Sequence, residues 1–323
     1  MSKAYYNRTL RGKLVKIIED KYSWMLDYVK QHPELDFQTG TNASTSWFQV
    51  YRGTSSLLKI GVTGRISASP AYVSLCPDFY ENPSPESFDR LLEIVNQTPK
   101  FDRYYSDPLQ AKKREGYYQN LISRRYTLFT EPDDDFIVID KECVIGFENT
   151  RAEEEWNASI KKELQECLIK ARTELSDISL PQDIKTEFGE IDFLALTWDG
   201  DIIIMELKGN DPEKTYLSPI QIGYYFRQFS KLLGEIPDLY NGMKEMIQQK
   251  IDLGILKLPA GKALPSSLSG EIKNYLIVGE EQNLSPEICR RYSLFRHYFN
   301  PNMEAYNCTE NGELMKSPKL HCL

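Results

Sequence analysis

Apolar positions in the first half of the chain change from helical spacing to strand spacing. In residues 7–31 the apolar side chains recur at helical spacing, which predicts a helix. Residues 47–52, 57–62 and 71–75 are instead rich in strand-forming side chains and are separated by Gly and Ser, which predicts an antiparallel meander. We therefore expect residues 1–150 to form a smaller α+β domain.

The second half, residues 151–323, shows alternating helix and strand patterns. An apolar stripe predicts a helix over residues 152–177, and the Ser-Pro pairs at 218–219 and 285–286 predict the starts of two more helices. The pair Asp199-Gly200 predicts a tight hairpin turn between two strands. The predicted strands are residues 191–198, 202–205 and 275–278. The chain is therefore expected to be a mixed α/β (α+β) protein.

Three charged side chains interrupt the apolar strands of this hairpin. Residues 202–205 are fully apolar, but the strand ends in Glu206 and Lys208, which are two residues apart and so share one face. Asp192 is a third charge on the partner strand. Two carboxylates can hold Mg²⁺, and an ammonium beside them can orient a water or stabilise charge on a phosphate. The alternative is structural, with an ion pair at the strand end and Asp192 at a solvated edge.

The register of the hairpin decides between these alternatives. A two-residue turn would place Asp192 opposite Leu207, and its side chain would then point away from Glu206. A three-residue turn, Asp199 to Asp201, or one bulge would place Asp192 opposite Lys208 and on the same face as Glu206. We therefore expect a turn of odd length or a bulge.

Helices on either side of the hairpin offer further polar side chains. At about 100° per residue, Glu163 falls on the border of the apolar stripe in the helix over 152–177, and Glu174 is a reserve candidate there. Gln221 and Tyr225 lie one turn apart on the following helix, where they can point toward the strand ends. For each glutamate, an ordinary solvated position is the alternative.

The amino-acid composition limits the kinds of functional site that we expect. The formal net charge of −8 counts against a protein coated with phosphate-binding surface, although local charge still permits a nuclease. Three histidines leave little room for histidine-based sites, and six dispersed cysteines predict neither a zinc knuckle nor a disulfide framework. No apolar run approaches the roughly 20 residues that span a bilayer, and no signal region follows the N-terminus. We expect a cytoplasmic protein that does not enter the membrane.

A basic, tyrosine-rich segment precedes the second half. Cations for phosphates and flat rings for bases are the composition of a nucleic-acid-binding face. A solvated helix whose Tyr side chains pack inward is an equal alternative. The candidate nucleic-acid-binding residues are Lys112, Lys113, Arg114, Arg124 and Arg125.

These motifs occur in a known order. A helical Glu163 is followed by Gly189-x-x-Asp192, then Glu206-x-Lys208, then Gln221-x-x-x-Tyr225. On these motifs, residues 152–299 resemble the PD-(D/E)XK nuclease superfamily. Ile191 precedes the Asp where the signature has Pro, and many members of the superfamily lack that Pro. The resemblance implies a restriction-endonuclease-like α-β-β-β-α-β core, preceded here by the smaller α+β domain.

The resemblance also implies hydrolysis of phosphodiester bonds with Mg²⁺ or Mn²⁺. The metal would be bound by Asp192, Glu206 and the Leu207 carbonyl, with Glu163 holding a metal-bound water or a second ion. Lys208 would position the attacking water. Gln221 and Tyr225 would steady the site and the substrate backbone.

The leading hypothesis is a Mg²⁺-dependent deoxyribonuclease whose first half selects or clamps DNA. RNA and branched or single-stranded DNA stay open as substrates, and so does a homodimer. The alternative is a catalytically silent module that keeps the fold and binds nucleic acid or protein. The intact Asp192, Glu206 and Lys208 favour the enzyme.

Overall fold

The computed structural model describes residues 4–42, 44–98, 101, 105–107, 112–174, 183–184, 189–209, 212–279 and 281–321. Helices and strands are mixed along this part of the chain, as predicted. Within the same ranges, no helix combines the length and the apolar character needed to cross a membrane.

The N-terminal part is an antiparallel four-stranded sheet with helices packed on it. Its strands, in the spatial order β2-β3-β4-β5, are β2 (Leu35–Thr41), β3 (Ser46–Arg52), β4 (Ser55–Gly61) and β5 (Ile66–Ser67). They follow β1 (Ala4–Tyr5), α1 (Gly12–Lys21) and α2 (Ser23–Gln31), and they precede α3 (Pro70–Leu75), α4 (Pro77–Glu81) and α5 (Pro85–Asn96).

Two predictions for this part were wrong. The helix expected over residues 7–31 is broken at Tyr22, whose φ of −126° lies outside the helical region, so α1 and α2 are separate. The strand expected over residues 71–75 is the helix α3. Pro70 occupies its first turn, where the missing N–H costs nothing, and this signal outweighs the strand propensity of the sequence that follows.

A second, larger group of elements begins at residue 105. It comprises β6 (Tyr105–Asp107), β7 (Lys112–Lys113), α6 (Glu115–Thr127), β8 (Phe136–Cys143), β9 (Gly146–Phe147), α7 (Thr150–Glu174), β10 (Ile191–Thr197) and β11 (Ile202–Lys208). It continues with α8 (Pro212–Glu235), α9 (Leu239–Asp252), β12 (Ile272–Val278), α10 (Pro286–Phe299), β13 (Glu304–Cys308), β14 (Leu314–Lys316) and α11 (Pro318–His321).

A six-stranded sheet, ordered β14-β13-β12-β11-β10-β8, organises this group. The strands β8, β10 and β11 are antiparallel, whereas β11, β12 and β13 run parallel. Helix α6 covers one face, where Tyr118 and Ile122 join the same apolar cluster as Phe193 and Met205. Helices α7, α8 and α9 contribute to the apolar cluster on the other face. The sheet is therefore the middle of three layers.

The predicted domain boundary at residue 150 divides this sheet. Strand β8 lies before the boundary, yet it pairs with β10 over most of its length. In the described residues between α7 and α8 the chain forms two strands, not the three expected after the helix over 152–177. The third antiparallel strand is β8. With β9, α7 and α9 left out, α6, β8, β10, β11, α8 and β12 follow the order helix, three strands, helix, strand.

Helix α8 begins earlier than predicted. Its first residue is Pro212, and Pro219, expected at the helix start, lies inside the helix. Pro219 has no N–H to donate to the preceding turn. Ser218, expected as the N-cap, instead donates its hydroxyl to the Lys214 carbonyl at 3.0 Å within the helix. The helix therefore starts within a few residues of the end of β11.

A buried ionic cluster ties the N-terminal segment to the large sheet. Asp140 on β8 pairs with Arg8 at 2.7 Å and with Lys250 on α9 at 2.9 Å, and the Tyr6 hydroxyl donates to it at 2.7 Å. The two cations hold the pKa of Asp140 below its ordinary value in spite of burial, so Asp140 stays charged. The N-terminal segment and α9 are therefore held to the large sheet by charge as well as by apolar contact.

Candidate functional site

The hairpin turn has an odd length, as predicted, but it is shifted by one residue. The Thr197 N–H donates to the Asp201 carbonyl at 3.0 Å, so the turn comprises Trp198, Asp199 and Gly200. Gly200 has a φ of +96°, a value that residues other than glycine rarely adopt.

The observed register changes the predicted pairing of Asp192. Phe193 pairs with Met205, and the same register places Asp192 opposite Glu206. The predicted partner, Lys208, was therefore wrong by two positions. The expectation that Asp192 lies on the same face as Glu206 is confirmed. Side chains on one face recur every two residues, so Asp192, Glu206 and Lys208 still share a face.

These three side chains form a compact charged cluster at the end of the hairpin. Lys208 is 8% exposed and forms an ion pair with Glu206, which is 2% exposed. The Leu207 N–H donates to Oδ2 of Asp192 at 2.7 Å, which fixes this carboxylate across the two strands. The apolar residues of β11 thus bury two opposite charges that the sequence alone placed on one face.

Burial and mutual charge set the protonation of the cluster. Burial raises the pKa of the Asp192 carboxyl well above its ordinary value, and the charge of Glu206 raises it further. Burial also raises the pKa of Glu206, and Lys208 offsets only part of that rise. Burial opposes the charge of Lys208, but Glu206 and Asp192 outweigh it, so the pKa of Lys208 is raised. The positive charge of Lys208 is therefore not enough to bring the pKa values of the two carboxyls back to their ordinary values.

The donor atoms of the cluster fit a hard cation such as Mg²⁺. Oε2 of Glu206 is buried, and no described residue donates a hydrogen bond to it. The N–H and C=O of a strand residue point to the same neighbouring strand, so the Leu207 carbonyl also faces Asp192. Among the described residues, no group of three or more His, Cys, Asp or Glu side chains is arranged to hold a metal ion. Mg²⁺ is commonly bound by one or two carboxylates and several waters, so two carboxylates meet its needs.

Helix α8 brings Gln221 and Tyr225 to this cluster, as the sequence predicted. Gln221 donates to the Tyr225 hydroxyl at 3.0 Å, and that hydroxyl donates to the Glu190 carbonyl at 3.1 Å. Burial and then the charge of Glu206 raise the pKa of Tyr225. The Gln221 amide in turn lowers the pKa of Glu206 in part. Both side chains therefore face the Glu206 carboxylate.

Glu115, at the start of α6, is a third carboxylate beside the cluster, and the sequence did not single it out. The Gly209 N–H donates to Oε2 of Glu115 at 3.4 Å. The charge of Glu115 contributes to the raised pKa values of Asp192 and Glu206. An acidic residue in the first turn of a helix is an ordinary feature. Only the packing of α6 against the end of β11 reveals its position.

Glu163, the helical carboxylate implied by the resemblance, lies elsewhere. Its side chain is 61% exposed and pairs with Arg227 on α8 at 3.2 Å. The reserve candidate Glu174 accepts a hydrogen bond from the Tyr298 hydroxyl on α10. Helix α7 runs along the face of the sheet and directs both glutamates to neighbouring helices. The structure therefore pairs Glu163 with Arg227 and does not show it in the cluster, whereas Glu115 is a helical carboxylate whose charge acts on Asp192 and Glu206.

The five basic residues of the predicted nucleic-acid-binding segment have different environments. Arg124 is 7% exposed and donates to the carbonyls of Val29, Lys30 and Leu35, so it closes the end of α2. Arg125 pairs with both oxygens of Asp134. For these two arginines the predicted contact with nucleic acid was wrong, because their charges serve the fold.

The other three basic residues stay candidates. Lys113 is half-buried and meets Glu310 at 3.4 Å. Arg114 is half-buried, and its Nε has no hydrogen-bond partner among the described groups. Lys112 lies in β7, and its side chain lies outside the described part. Because Arg114 directly precedes Glu115, the basic segment reaches the candidate site through its first three members.

Comparisons of the chain with protein-family models, with curated proteins and with solved structures found no match. The functional argument therefore rests on Asp192, Glu206, Lys208 and the groups around them. The buried carboxylate of Glu206, the half-buried carboxylate of Asp192, an ammonium and a neighbouring helix N-terminus can together hold a divalent cation and a phosphate group.

Proposed function

We propose that the protein is a nuclease that hydrolyses DNA phosphodiester bonds and requires Mg²⁺ or Mn²⁺. The observation that carries the proposal is the shared face of Asp192, Glu206 and Lys208 at a buried strand end. A purely structural ion pair would need only Glu206 and Lys208. The second carboxylate, Asp192, raises the free energy of the folded protein at neutral pH because it is desolvated beside Glu206. A bound cation would offset this cost.

In this proposal Asp192, Glu206 and the Leu207 carbonyl hold the metal, which when bound lowers the pKa of a water and neutralises phosphate charge. The Leu207 N–H keeps Asp192 oriented through its 2.7 Å bond. The ammonium of Lys208 stabilises the negative charge that develops on the scissile phosphate. Gln221 and Tyr225 position Glu206 from the α8 side.

The surroundings of the cluster supply an anion-binding surface. Helix α6 has 13 residues, and its N-cap residue Arg114 makes no side-chain cap hydrogen bond. The Tyr117 N–H donates to the Arg114 carbonyl at 3.0 Å, and the positive end of the helix dipole favours a phosphate at this end of the helix. Lys113 and Arg114 add positive charge at the same place, which offsets the net charge of −8 locally. We propose DNA as the substrate of this surface, and RNA is the competing polymer in the test.

The test is cleavage of supercoiled plasmid, linear duplex DNA, single-stranded DNA and single-stranded RNA with Mg²⁺, Mn²⁺ or EDTA. We expect cleavage of DNA with either metal, none with EDTA, and none by Asp192→Asn with any metal. Asp201→Asn is the matched control, since Asp201 lies on the same hairpin but pairs with Lys273 at 2.6 Å at its opposite end. Binding without cleavage under all metals would instead identify a silent binding module.

A further inference from the structure

A cavity of about 230 Å³ adjoins the candidate site on the α8 side of the sheet. Ile191, the residue before Asp192, lines it, and so does Tyr225, whose pKa responds to the charges of Glu206 and Asp192. One wall is therefore shared between the cavity and the metal-binding cluster. This volume is many times the roughly 10–15 Å³ that one water molecule needs, so the cavity has room for a planar ring system.

The lining of the cavity combines aromatic and apolar side chains with polar groups. The rings of Phe147, Tyr224 and Tyr225 contribute to its walls, together with Cys143 and Ile191. Aromatic side chains are the usual partners of unpaired nucleobases because every base has a π-face on which a ring can stack. An aliphatic or highly charged ligand would gain little from these rings.

The polar side chains of the lining include Gln228 and Glu153. The Gln228 amide donates to Asn157 at 3.0 Å and to the Tyr224 hydroxyl at 2.9 Å, so its side chain is held in one orientation. Glu153 is exposed beside it and, after burial, contributes to raising the pKa of Tyr224 to about 12. A ligand with flat apolar faces and a polar edge matches this arrangement, and nucleobases have that character.

We propose that this cavity holds the base of the nucleotide next to the scissile phosphate, which makes unpaired DNA the preferred substrate. The inference rests on the proposed nuclease function and names its substrate class. In a duplex the base is stacked and paired, and it must be extruded at an energetic cost before it can enter a pocket. Single-stranded DNA, or a frayed end, avoids this cost.

The first test compares three substrates of equal length with Mg²⁺: a mixed-sequence single strand, its duplex, and a single strand of tetrahydrofuran abasic units. The abasic strand keeps every phosphodiester but has no bases. We expect kcat/KM on the single strand to exceed both others by at least about tenfold, the scale of one base–aromatic stacking contact. Equal kcat/KM on the abasic strand would overturn the cavity proposal and leave the nuclease proposal intact. If no DNA is cleaved with any metal, both proposals fail.

The second test fills the cavity from its rim. Val144 lines the cavity and is 44% exposed, so Val144→Trp adds a ring at the opening with little cost to the fold. We expect KM for the single strand to rise about tenfold, with activity on the abasic strand unchanged. Ile169→Trp, at a 55% exposed position on α7 outside the cavity lining, is the matched control and should match the wild type. An unchanged KM in Val144→Trp would contradict the proposal.

Discussion

The backbone of Gly209 lies against the backbone of Glu115, so closely that a Cβ atom on Gly209 would lie 2.6 Å from the Glu115 Cα. This contact joins the end of β11 to the start of α6, which are 94 residues apart in sequence. It places the N-terminus of α6 beside Lys208. The position of the Glu115 carboxylate therefore depends on Gly209, because any larger residue at 209 would push the start of α6 away.

We expect Gly209→Ala to destabilise the protein by about 1–3 kcal/mol, the usual cost of forcing an extra carbon into a close contact. Cleavage should fall as well, because α6 must move away from the cluster. Urea unfolding and kcat/KM measure the two effects. Gly234→Ala is the control, since an added Cβ there meets no atom within 4 Å near the end of α8. An equally small effect of both substitutions would show that α6 yields without cost.

Asp192→Asn should stabilise the apo protein at neutral and alkaline pH while abolishing cleavage. The pKa of Asp192 is raised in the folded state, so the unfolded chain releases this proton at lower pH than the folded protein does. Unfolding stability therefore falls as pH rises from about 4, the ordinary Asp pKa, through the raised folded value. Asparagine carries no charge and still accepts the Leu207 N–H. We expect a gain of about 1–3 kcal/mol at pH 8.

Urea unfolding of wild type and Asp192→Asn, in EDTA at pH 4 and pH 8, checks this sign. The stability difference between the two proteins should shrink toward pH 4, where the wild-type carboxyl is protonated in the folded state. If Asp192→Asn were instead less stable than the wild type at pH 8, Asp192 would be stabilised as a carboxylate. Asp201→Asn should show that opposite sign, with a loss of stability at pH 8 that shrinks as the pH falls, because Lys273 and Ser269 hold the pKa of Asp201 below its ordinary value in spite of burial.

Mg²⁺ should stabilise the folded protein whether or not any substrate is present. A ligand at a hundred times its Kd adds about 2.7 kcal/mol to the free energy of unfolding. Thermal unfolding with increasing MgCl₂, at constant ionic strength, measures this gain in wild type and Asp201→Asn. It should vanish in Asp192→Asn. A Mg²⁺ effect of equal size in all three proteins would place the ion somewhere other than between Asp192 and Glu206.

The grouping of Asp192, Glu206 and Lys208 could be predicted from the sequence because it depends on strand and turn patterns that span only a few residues. An apolar strand that ends in Glu206 and Lys208 must direct both charges to one side, and a Gly-containing turn limits the register to a few choices. The one-residue error in the turn arose at Gly200. A positive φ at this residue allows it to close the turn in either position, and the Thr197 side chain, which accepts the Asp201 N–H at 2.8 Å, selects the observed one.

Contacts between segments that are distant in sequence could not be predicted from these short patterns. Strand β8 looked like the end of the first half, and only its pairing with β10 assigns it to the large sheet. Glu163 was preferred because it borders the apolar stripe of the helix before the hairpin and because the family resemblance implies a helical Glu there. Proximity along the chain does not determine which helix end reaches the strand ends, and α6 does so through Gly209.

Glu115→Gln and Glu163→Gln separate the two helical carboxylates by activity. Glu115 contributes negative charge at the cluster, whereas Glu163 pairs with Arg227 at the surface. We expect Glu115→Gln to lower kcat/KM about ten- to hundredfold and to raise the Mg²⁺ concentration needed for half-maximal cleavage. Glu163→Gln should change neither quantity. The reverse pattern would restore the carboxylate implied by the family resemblance.

Substitutions in the basic segment should separate substrate binding from folding. Arg114 borders the candidate site and its Nε lacks a partner among the described groups, so Arg114→Ala, combined with Lys113→Ala, removes charges that can meet phosphates. We expect DNA affinity to fall across all sequences and the slope of log K against log salt to flatten by about one unit for each phosphate that the variant no longer neutralises. Stability should change little, since Lys113 pairs with the exposed Glu310 and lies over the half-buried ring of Tyr117.

Arg124→Ala is the contrasting change in the same segment. It deletes a buried guanidinium that satisfies three backbone carbonyls, and removing each hydrogen bond from a charged donor costs about 1.5–3 kcal/mol. The variant should unfold at clearly lower urea concentration, yet below its transition the salt slope of DNA binding should equal that of the wild type. If Arg124→Ala instead flattens the salt slope and the Lys113–Arg114 pair does not, the nucleic-acid surface lies on the far end of α6, away from Asp192 and Glu206.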